Sequence, residues 1–558
     1  MISRLFPFAY RAALVFAVAC TSACVAKGEW RERPATGRRE GSEISPRDIE
    51  YHPRGPAARR YNEALRPARL ETPFEERVAA LVLAQSAGTL SEGISLDRRL
   101  CAVAKEAARL AARELPLDYA AVELALSHHG LIEPSPYLIV LSAAAIPEEE
   151  DVVLDELRAR LPQGLATGRF TRLGVALEQG AANAAIVIAL QESFVCTEPV
   201  PRLAQLGEVV SLRGKLVSPF REPQVLVTQV DGQVQKVPIL REDGGGFRAK
   251  IPCGDKGGRL QVEIVGNDAS GATVLANFPI YCGDATPPSV RLIRDSDPPV
   301  HDAAQAERTI FELANSERRA VGLSELAWDD RAASVARAHS VDMRDSGVVA
   351  HVLPSTGSAA DRVQRAGIRT PLVLENLARA FSPREAHLGL MNSPGHRANL
   401  LSEAATHLGV GVALGRDVAG RAELYVTEVF FRVPPKLDAQ AARSAARKAL
   451  AEKRARAGLA ELSVDPELDL IAQEHAATIA RGGSRESAAA VSARRVEALA
   501  GRFRTVVTIV AVVGDPEDAA ATEAVKERAY PYHGLGVAQG HDPHIGDGAV
   551  FVVVLLAK

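Results

Sequence analysis

The sequence predicts an α+β protein made of α-β-α sandwiches with a small antiparallel β-sandwich among them. Three observations lead there. Ala457-Gly458-Leu459-Ala460-Glu461-Leu462-Ser463-Val464-Asp465 repeats Val321-Gly322-Leu323-Ser324-Glu325-Leu326-Ala327-Trp328-Asp329 without a gap, so the last third of the chain duplicates the middle. Ala332, Val335, Ala336, His339 and Met343 fall at i, i+3, i+4, i+7 and i+11, the apolar stripe of an amphipathic helix. Leu424 to Phe431 is apolar on both alternating faces except at Thr427 and Glu428, as expected of a strand covered by helices on each side.

The bounds come from composition. A chain of 558 residues, 47% hydrophobic and 24% charged, predicts about four domains. A formal net charge of -3, with no basic run interleaved with aromatics, excludes nucleic acid as a partner.

At the N-terminus, Arg4 and Arg11 precede the apolar run Ala12 to Ala19 and the small residues around Cys20 and Cys24. That is the layout of an export signal over residues 1–24, which places the mature protein in the cell envelope or outside the cell. Cysteines behind an apolar run resemble a bacterial lipobox, in which a cysteine is acylated, although Thr21-Ser22-Ala23-Cys24 lacks the usual leucine. The resemblance implies lipidation at Cys24, with Cys20 as the alternative, and a membrane tether through that lipid. Ordinary cleavage without a lipid stays open.

Four cysteines remain: Cys101, Cys196, Cys253 and Cys282. An even number in an oxidising compartment reads as disulfides, and sequence alone permits three pairings. Cys101 with Cys196 and Cys253 with Cys282 is the economical choice, because each bridge then closes within one domain.

Residues 25–70, rich in Arg, Pro, Gly and Glu, read as a disordered spacer. Residues 71–200 read as a degenerate copy of the repeated module: Leu96-Asp97 followed by Leu100, Val103 and Ala104 imitates Trp328-Asp329 followed by Ala332, Val335 and Ala336. Leu173-Gly174-Val175-Ala176-Leu177 likewise imitates Gly409-Val410-Gly411-Val412-Ala413 and Gly534-Leu535-Gly536-Val537-Ala538. Residues 201–283 alternate short apolar runs such as Val225 to Val230 and Leu260 to Val265 with Gly- and Asp-rich turns, the pattern of an Ig-like β-sandwich. Residues 284–302, with Pro287-Pro288 and Pro298-Pro299, read as a stiff linker. The intact module then spans 303–434 and the second degenerate copy 435–558.

Within the middle module, one ordered set of residues carries a family resemblance. It runs from Asn315 to Asp329 with Gly322-Leu323 and Leu326-Ala327-Trp328, through His351, Glu375-Asn376 and Ser393-Pro394-Gly395-His396-Arg397-Ala398-Asn399-Leu400-Leu401, to Leu408-Gly409-Val410-Gly411. This resembles the bacterial branch of the CAP superfamily, the SCP-like extracellular domain shared by cysteine-rich secretory proteins, antigen 5 and pathogenesis-related 1 proteins. The resemblance implies a CAP-like α-β-α sandwich with a cleft lined by two histidines and two acidic residues. His351, Glu375 and His396 take the places of the first His, the first Glu and the second His, with Asn376 beside them. The second acid is missing before His396, where Leu390-Met391-Asn392-Ser393 stands, and Glu385 is the nearest substitute.

The residues themselves add to that reading. Ser393 followed by Pro394 forms a good N-cap and first-turn pair, placing His396 where the helix dipole disfavours imidazolium. Two neutral imidazoles and a carboxylate, His351, His396 and Glu375, match a three-ligand site for zinc or another divalent cation. Hydrogen bonding of the loops over the sheet is the equally weighted structural reading. His339, on the helical stripe, reads as core.

The outer copies lack these groups. No histidine occurs between Gly483 and Pro531, and His128 and His129 beside Gly130 read as solvent-facing loop residues. HExxH, GxSxG and P-loop motifs are absent, and the glycines of Gly409-Val410-Gly411 and Gly534-Leu535-Gly536 precede rather than follow their strand, unlike a dinucleotide fingerprint. The sequence thus predicts an exported, non-enzymatic module binding a lipid, glycan or protein. A metal-assisted hydrolase using His351, Glu375 and His396, and a purely structural lipoprotein, are the alternatives.

Overall fold

The computed structural model describes residues 21–22, 49–63, 67–86, 93–143, 150–181, 183–283, 285–292, 300–368, 370–418, 421–433, 436–513, 516, 529–542 and 546–558. The proposed lipidation sites Cys20 and Cys24, nearly all of the export signal and residues 293–299 of the linker lie outside the described residues. The chain divides into two compact units, one holding nearly everything before Phe431 and the other mainly Phe431–Lys558. No helix among the described residues is long and apolar enough to cross a membrane.

Four strands in each of three sheets share one order, and the second sheet also carries Thr21–Ser22 of the expected export signal at its edge, parallel to Val373–Ala380. In the first, Ser95–Leu96, Arg172–Gln179, Ala184–Gln191 and Tyr137–Ala143 are neighbours in that sequence. In the second, Ala327–Trp328, His407–Val418, Arg421–Phe431 and Val373–Ala380 follow the same plan, and in the third Ser463–Val464, Tyr532–Asp542, Gly546–Ala557 and Val506–Val513 do so again. Each short first strand leads into a helix capped by an aspartate carboxylate: Asp97, Asp329 and Asp465 accept backbone N–H groups of Leu100, Ala332 and Leu468. An extended aspartate at that position satisfies otherwise orphaned helix donors.

Alternation along the strands explains the layers. In the first sheet Leu173, Val175, Leu177, Ile186, Ile188 and Leu190 pack with Val78, Val82, Leu157 and Leu161 of two helices. Their neighbours Ala176, Ala185, Val187 and Ala189 pack on the opposite face with Leu100, Val103 and Ala107. The third sheet divides the same way, Val552 and Val554 lying with Ala446 and Leu450, and Val553 and Leu555 with Leu468 and Ala472. In the second sheet Gly409 and Gly411 let the strand lie against the backbone of the Asp330–Ser346 helix, since a Cβ on Gly411 would come 2.1 Å from the amide nitrogen of Arg337.

Between the first and second sheets lies a two-sheet body. One sheet orders Leu203–Ala204, Gly271–Cys282, Gly258–Asp268, Arg221–Thr228 and Val234–Val237, the other Ile239–Glu242, Gly246–Pro252, Val209–Leu216 and Val195–Thr197. They share one core including Leu212, Phe247, Val262, Ile264 and Phe278. Cys253 and Cys282 are disulfide-bonded at the edge of that core.

Several expectations are corrected. Cys101 and Cys196 are free thiols. Cys101 sits in the helix Arg98–Ala112, whereas Cys196 lies in Val195–Thr197, an edge strand that pairs with Val209–Leu216 of the two-sheet body. The spacer is not disordered throughout: Ile49–Tyr51 pairs antiparallel with Val290–Leu292, which belongs to the expected linker. Tyr61 is fully buried and donates to the carbonyl of Pro279 at 2.6 Å. His128 and His129 close the helix Tyr119–His129, which ends on Gly130 at φ 78°, instead of lying in a loop. Burial, with His128 and Arg202 beside it, pushes the His129 imidazole down to about 3.

Candidate functional site: the histidine cleft

His351 lies just past the Asp330–Ser346 helix, Glu375 and Asn376 sit in the strand Val373–Ala380, and His396 is in the first turn of Pro394–Leu400. All are buried: His351 is 4% exposed, Glu375 1%, and Asn376 and His396 0%. Successive strand residues face opposite ways, so Glu375 and Asn376 serve different partners.

Glu375 serves His351. Its Oε2 lies 2.7 Å from Nδ1 of His351, and its Oε1 accepts from the guanidinium of Arg362. Arg362 also donates to the backbone carbonyls of His351, at 3.1 Å, and Gly357, at 2.6 Å. Burial alone would raise the Glu375 carboxyl, but the hydrogen bond and charge of His351 and the charge of Arg362 outweigh it and hold it below the ordinary value. An acceptor-only carboxylate at Nδ1 makes that nitrogen an N–H donor, so in the neutral form of the ring the lone pair is on Nε2. The Nε2 atom is buried with no hydrogen-bond partner among the described residues.

Asn376 serves His396. Its amide donates to the His396 carbonyl at 3.2 Å and to Glu428 Oε2 at 2.9 Å, while Asn399 bridges back to Asn376 Oδ1 at 2.9 Å and to the Glu375 carbonyl at 3.2 Å. These amides fasten the short His396 helix to the strand that carries Glu375. His396 Nδ1 lies 2.8 Å from Ser393 Oγ, and its Nε2 is also buried with no hydrogen-bond partner among the described residues. Burial, helped by nearby His351, holds the His396 imidazole well below its ordinary value, so the ring is neutral. The sequence attributes that neutrality to the helix dipole; burial is the larger cause here.

Ser393 is the N-cap by position, yet its side chain makes no cap bond to the helix. Its hydroxyl donates to Glu263, and the other Glu263 oxygen accepts from the Gly395 N–H at 3.0 Å. A carboxylate from the two-sheet body thus does the capping. The same body also touches the chain next to His351, where Val352 donates its N–H to the Ser270 carbonyl at 3.0 Å. Arg397 donates to the Gly232 carbonyl at 3.0 Å.

Glu385 is elsewhere: its carboxylate accepts from the backbone of Phe381 at 3.0 Å, at the start of the helix Pro383–Asn392. His339 is fully buried with Nε2 2.9 Å from the Ala350 carbonyl, a core position.

In this arrangement Glu375 is bound to His351 Nδ1 and not set beside its Nε2. A cation on His351 Nε2 stands at the far edge of the ring from Nδ1, where Glu375 is bound, so the carboxylate is an outer partner that orients the imidazole. Among the described residues no group of three or more His, Cys, Asp or Glu is arranged to hold a metal ion.

Sequence reasoning missed Arg362, Glu428 and Glu263. Thr427-Glu428 stood out as polar exceptions in an apolar strand, and Glu263 is the charged residue inside the run Leu260 to Val265. Those interruptions were the available signals; Arg362 had none.

Residues 311–430 match the family model for the cysteine-rich secretory protein family, CAP. Over 106 residues the chain is 40% identical to the uncharacterized protein YkwD of Bacillus subtilis (strain 168), covering 19% of this chain and 41% of that protein. Over 108 residues it is 39% identical to the uncharacterized membrane protein YlbC of the same organism, covering 19% and 31%. The chain thus spans less than half the length of these curated relatives. Among solved structures, an extracellular protein containing an SCP domain from Bacillus anthracis str. Ames is similar at 22% identity and a TM-score of 0.22, covering 42% of this chain and 84% of that one.

Proposed function

We propose, from the premise that residues 311–430 form a CAP domain, that the chain is an exported cell-envelope protein using this domain as a non-enzymatic binding module. One observation carries the reading: His351 and His396 each have Nδ1 held by a partner and Nε2 buried without one among the described residues. A buried acceptor without a donor costs about 1–3 kcal/mol, so both positions favour a ligand that brings N–H or O–H groups, or a cation. A lipid headgroup, a glycan or a protein segment supplies such donors.

Metal-assisted hydrolysis is the second reading, favoured by the Glu375–His351 pair, because a carboxylate behind a histidine is the usual outer support of a metal ligand. Bound zinc would supply an activated water. The residues present give that water no evident general base, since Glu375 is engaged by His351 and Arg362.

Export rests on the Arg4 to Cys24 segment and fits the Cys253–Cys282 bridge, with Cys24 (alternatively Cys20) as the lipid anchor. The shared strand order and aspartate caps support three copies of one module, the outer two lacking the cleft, and the two-sheet body fits a small β-sandwich.

The double replacement His351→Ala with His396→Ala tests the binding reading in the full chain. Binding to phospholipid vesicles or to soluble glycans should disappear while circular dichroism remains native. Binding that survives it overturns the reading. Calorimetric titration with zinc chloride separates the second reading: uptake lost in the double variant supports metal, and no uptake by the wild type removes it.

A further inference from the structure

The cap on the His396 helix comes from outside the CAP domain, and its chemistry determines which nitrogen of His396 carries the proton. Glu263 sits in the strand Gly258–Asp268 of the two-sheet body, 130 residues before Ser393, and both side chains are fully buried. One Glu263 oxygen accepts from the backbone N–H of Gly395 at 3.0 Å and the other from the Ser393 hydroxyl. Both contacts are donor to carboxylate, the arrangement that favours the ionised, acceptor-only form.

A serine hydroxyl has a single proton. With that proton on Glu263, Ser393 Oγ can only accept from its remaining neighbour, His396 Nδ1, 2.8 Å away. A neutral imidazole that donates from Nδ1 must keep its lone pair on Nε2. We propose that Glu263 is a positioning residue for the histidine cleft: through Ser393 it fixes His396 in the Nδ1–H form, with Nε2 as an obligatory acceptor. Glu375 likewise holds the Nδ1–H of His351 directly, so in its neutral form that ring too would present Nε2 as acceptor.

The position is built for this. Leu260, Val262, Ile264 and Val265 around Glu263 are core residues, so a carboxylate there requires compensation, and two donors of the Ser393–Gly395 turn provide it. Asn277, in the neighbouring strand, donates to the Asn392 carbonyl at 3.2 Å, and Arg259 donates to Asn392 Oδ1 at 2.6 Å, so the body is fixed next to the turn it caps. The inference concerns the ring itself and goes beyond the binding reading, since it holds whether the cleft takes a polar ligand or a cation.

Nitrogen-15 NMR of the full chain with labelled histidine reads the tautomer directly, with the His396 signals assigned by their loss in His396→Gln. The wild type should show a protonated, pyrrole-type Nδ1 and a pyridine-type Nε2. In Glu263→Gln the carboxamide oxygen still accepts from Gly395, but its NH2 faces Ser393. The hydroxyl then turns to donate to His396 Nδ1 and the ring proton moves to Nε2. Ser393→Ala cuts the link, and His396 should lose its single tautomer while the His351 signals stay in place as the folding control. A wild-type His396 protonated at Nε2 overturns the proposal even if every variant fails to fold. So does a folded Glu263→Gln protein whose His396 keeps Nδ1–H, which would make Glu263 only a docking contact, detectable as a lowered unfolding temperature alone.

Discussion

Asn376 donates its amide to Glu428 Oε2 at 2.9 Å, and the other oxygen of Glu428 is buried with no hydrogen-bond partner among the described residues. One bond does not compensate a fully buried carboxylate, and burial pushes Glu428 up to about 7 despite the Asn376 contact. Folded Glu428 holds a proton that the unfolded chain has already released, so its contribution to stability is full below the ordinary carboxylate range and is lost as pH rises towards 7. The loss amounts to about 3 kcal/mol across that window. Glu428→Gln should flatten this slope and unfold at a higher temperature than wild type at pH 8. Melting curves from pH 4 to 8 check this, and parallel profiles for the two proteins would refute it.

Arg362 stabilises the ionised Glu375, so Arg362→Ala leaves a buried carboxylate with His351 as its remaining side-chain partner among the described residues. Breaking a buried pair in this way costs about 3–5 kcal/mol. The sign with pH is opposite to that of Glu428. Because the folded Glu375 value is depressed, its stabilisation is present above the ordinary carboxylate range and disappears as pH falls through the folded value. In Arg362→Ala that acid loss should move to higher pH, and Glu375→Gln added to it should recover part of the stability. Urea unfolding at pH 4 and 7 measures both, and additive single and double effects would show that the two side chains act independently.

Cys253 and Cys282 close a loop with a sequence separation of 29, for which the chain-entropy estimate is about 3–4 kcal/mol. Their reduction should lower the stability of the two-sheet body by that order. Cys101 and Cys196 should be alkylated without prior reduction once the chain is unfolded, since neither is bridged. Peptide mapping under non-reducing conditions decides the matter, and a linked Cys101–Cys196 peptide would contradict the assignment.

The local rules were legible in the sequence, and the long-range ones were not. The Asp329 cap, the Ala332 to Met343 stripe and the covered strand Leu424 to Phe431 all follow from spacing within one element, where periodicity and capping act over a few residues. The strand and helix that carry Glu375, Asn376 and His396 were marked by ordered motifs. The partners that set their protonation were not: Arg362 arrives from a separate helix, and Glu263 from another sheet system altogether. Single-sequence patterns do not encode contacts across 130 residues, and a charged residue in an apolar run looks the same whether it faces solvent or a helix end. Ser393 shows the limit, since a good capping residue was diverted to a stronger, charged acceptor.

The repeated glycines give the most direct test of the repeated architecture. A Cβ on Gly409 would stand 2.2 Å from backbone atoms of Ala332 and Ala333, and one on Gly411 2.1 Å from the Arg337 amide nitrogen. In the C-terminal unit a Cβ on Gly534 would meet the Leu468 backbone at 2.1 Å and one on Gly536 the Ala472 backbone at 2.2 Å. Helix backbone cannot swing aside as a side chain can, so each alanine must push a helix off its sheet, an overpacking cost of about 1–3 kcal/mol or more. Gly411→Ala and Gly536→Ala should therefore each lower the melting temperature of the unit that contains it. Gly415→Ala, whose Cβ would meet only the Tyr425 ring and Glu423 side chain at 3.0 Å or beyond, should cost much less. Scanning calorimetry with limited proteolysis assigns each loss to its unit. A Gly536→Ala protein as stable as wild type would mean that the C-terminal sheet does not pack on its helix as the middle one does, and the reading of that unit as a copy would fall with it.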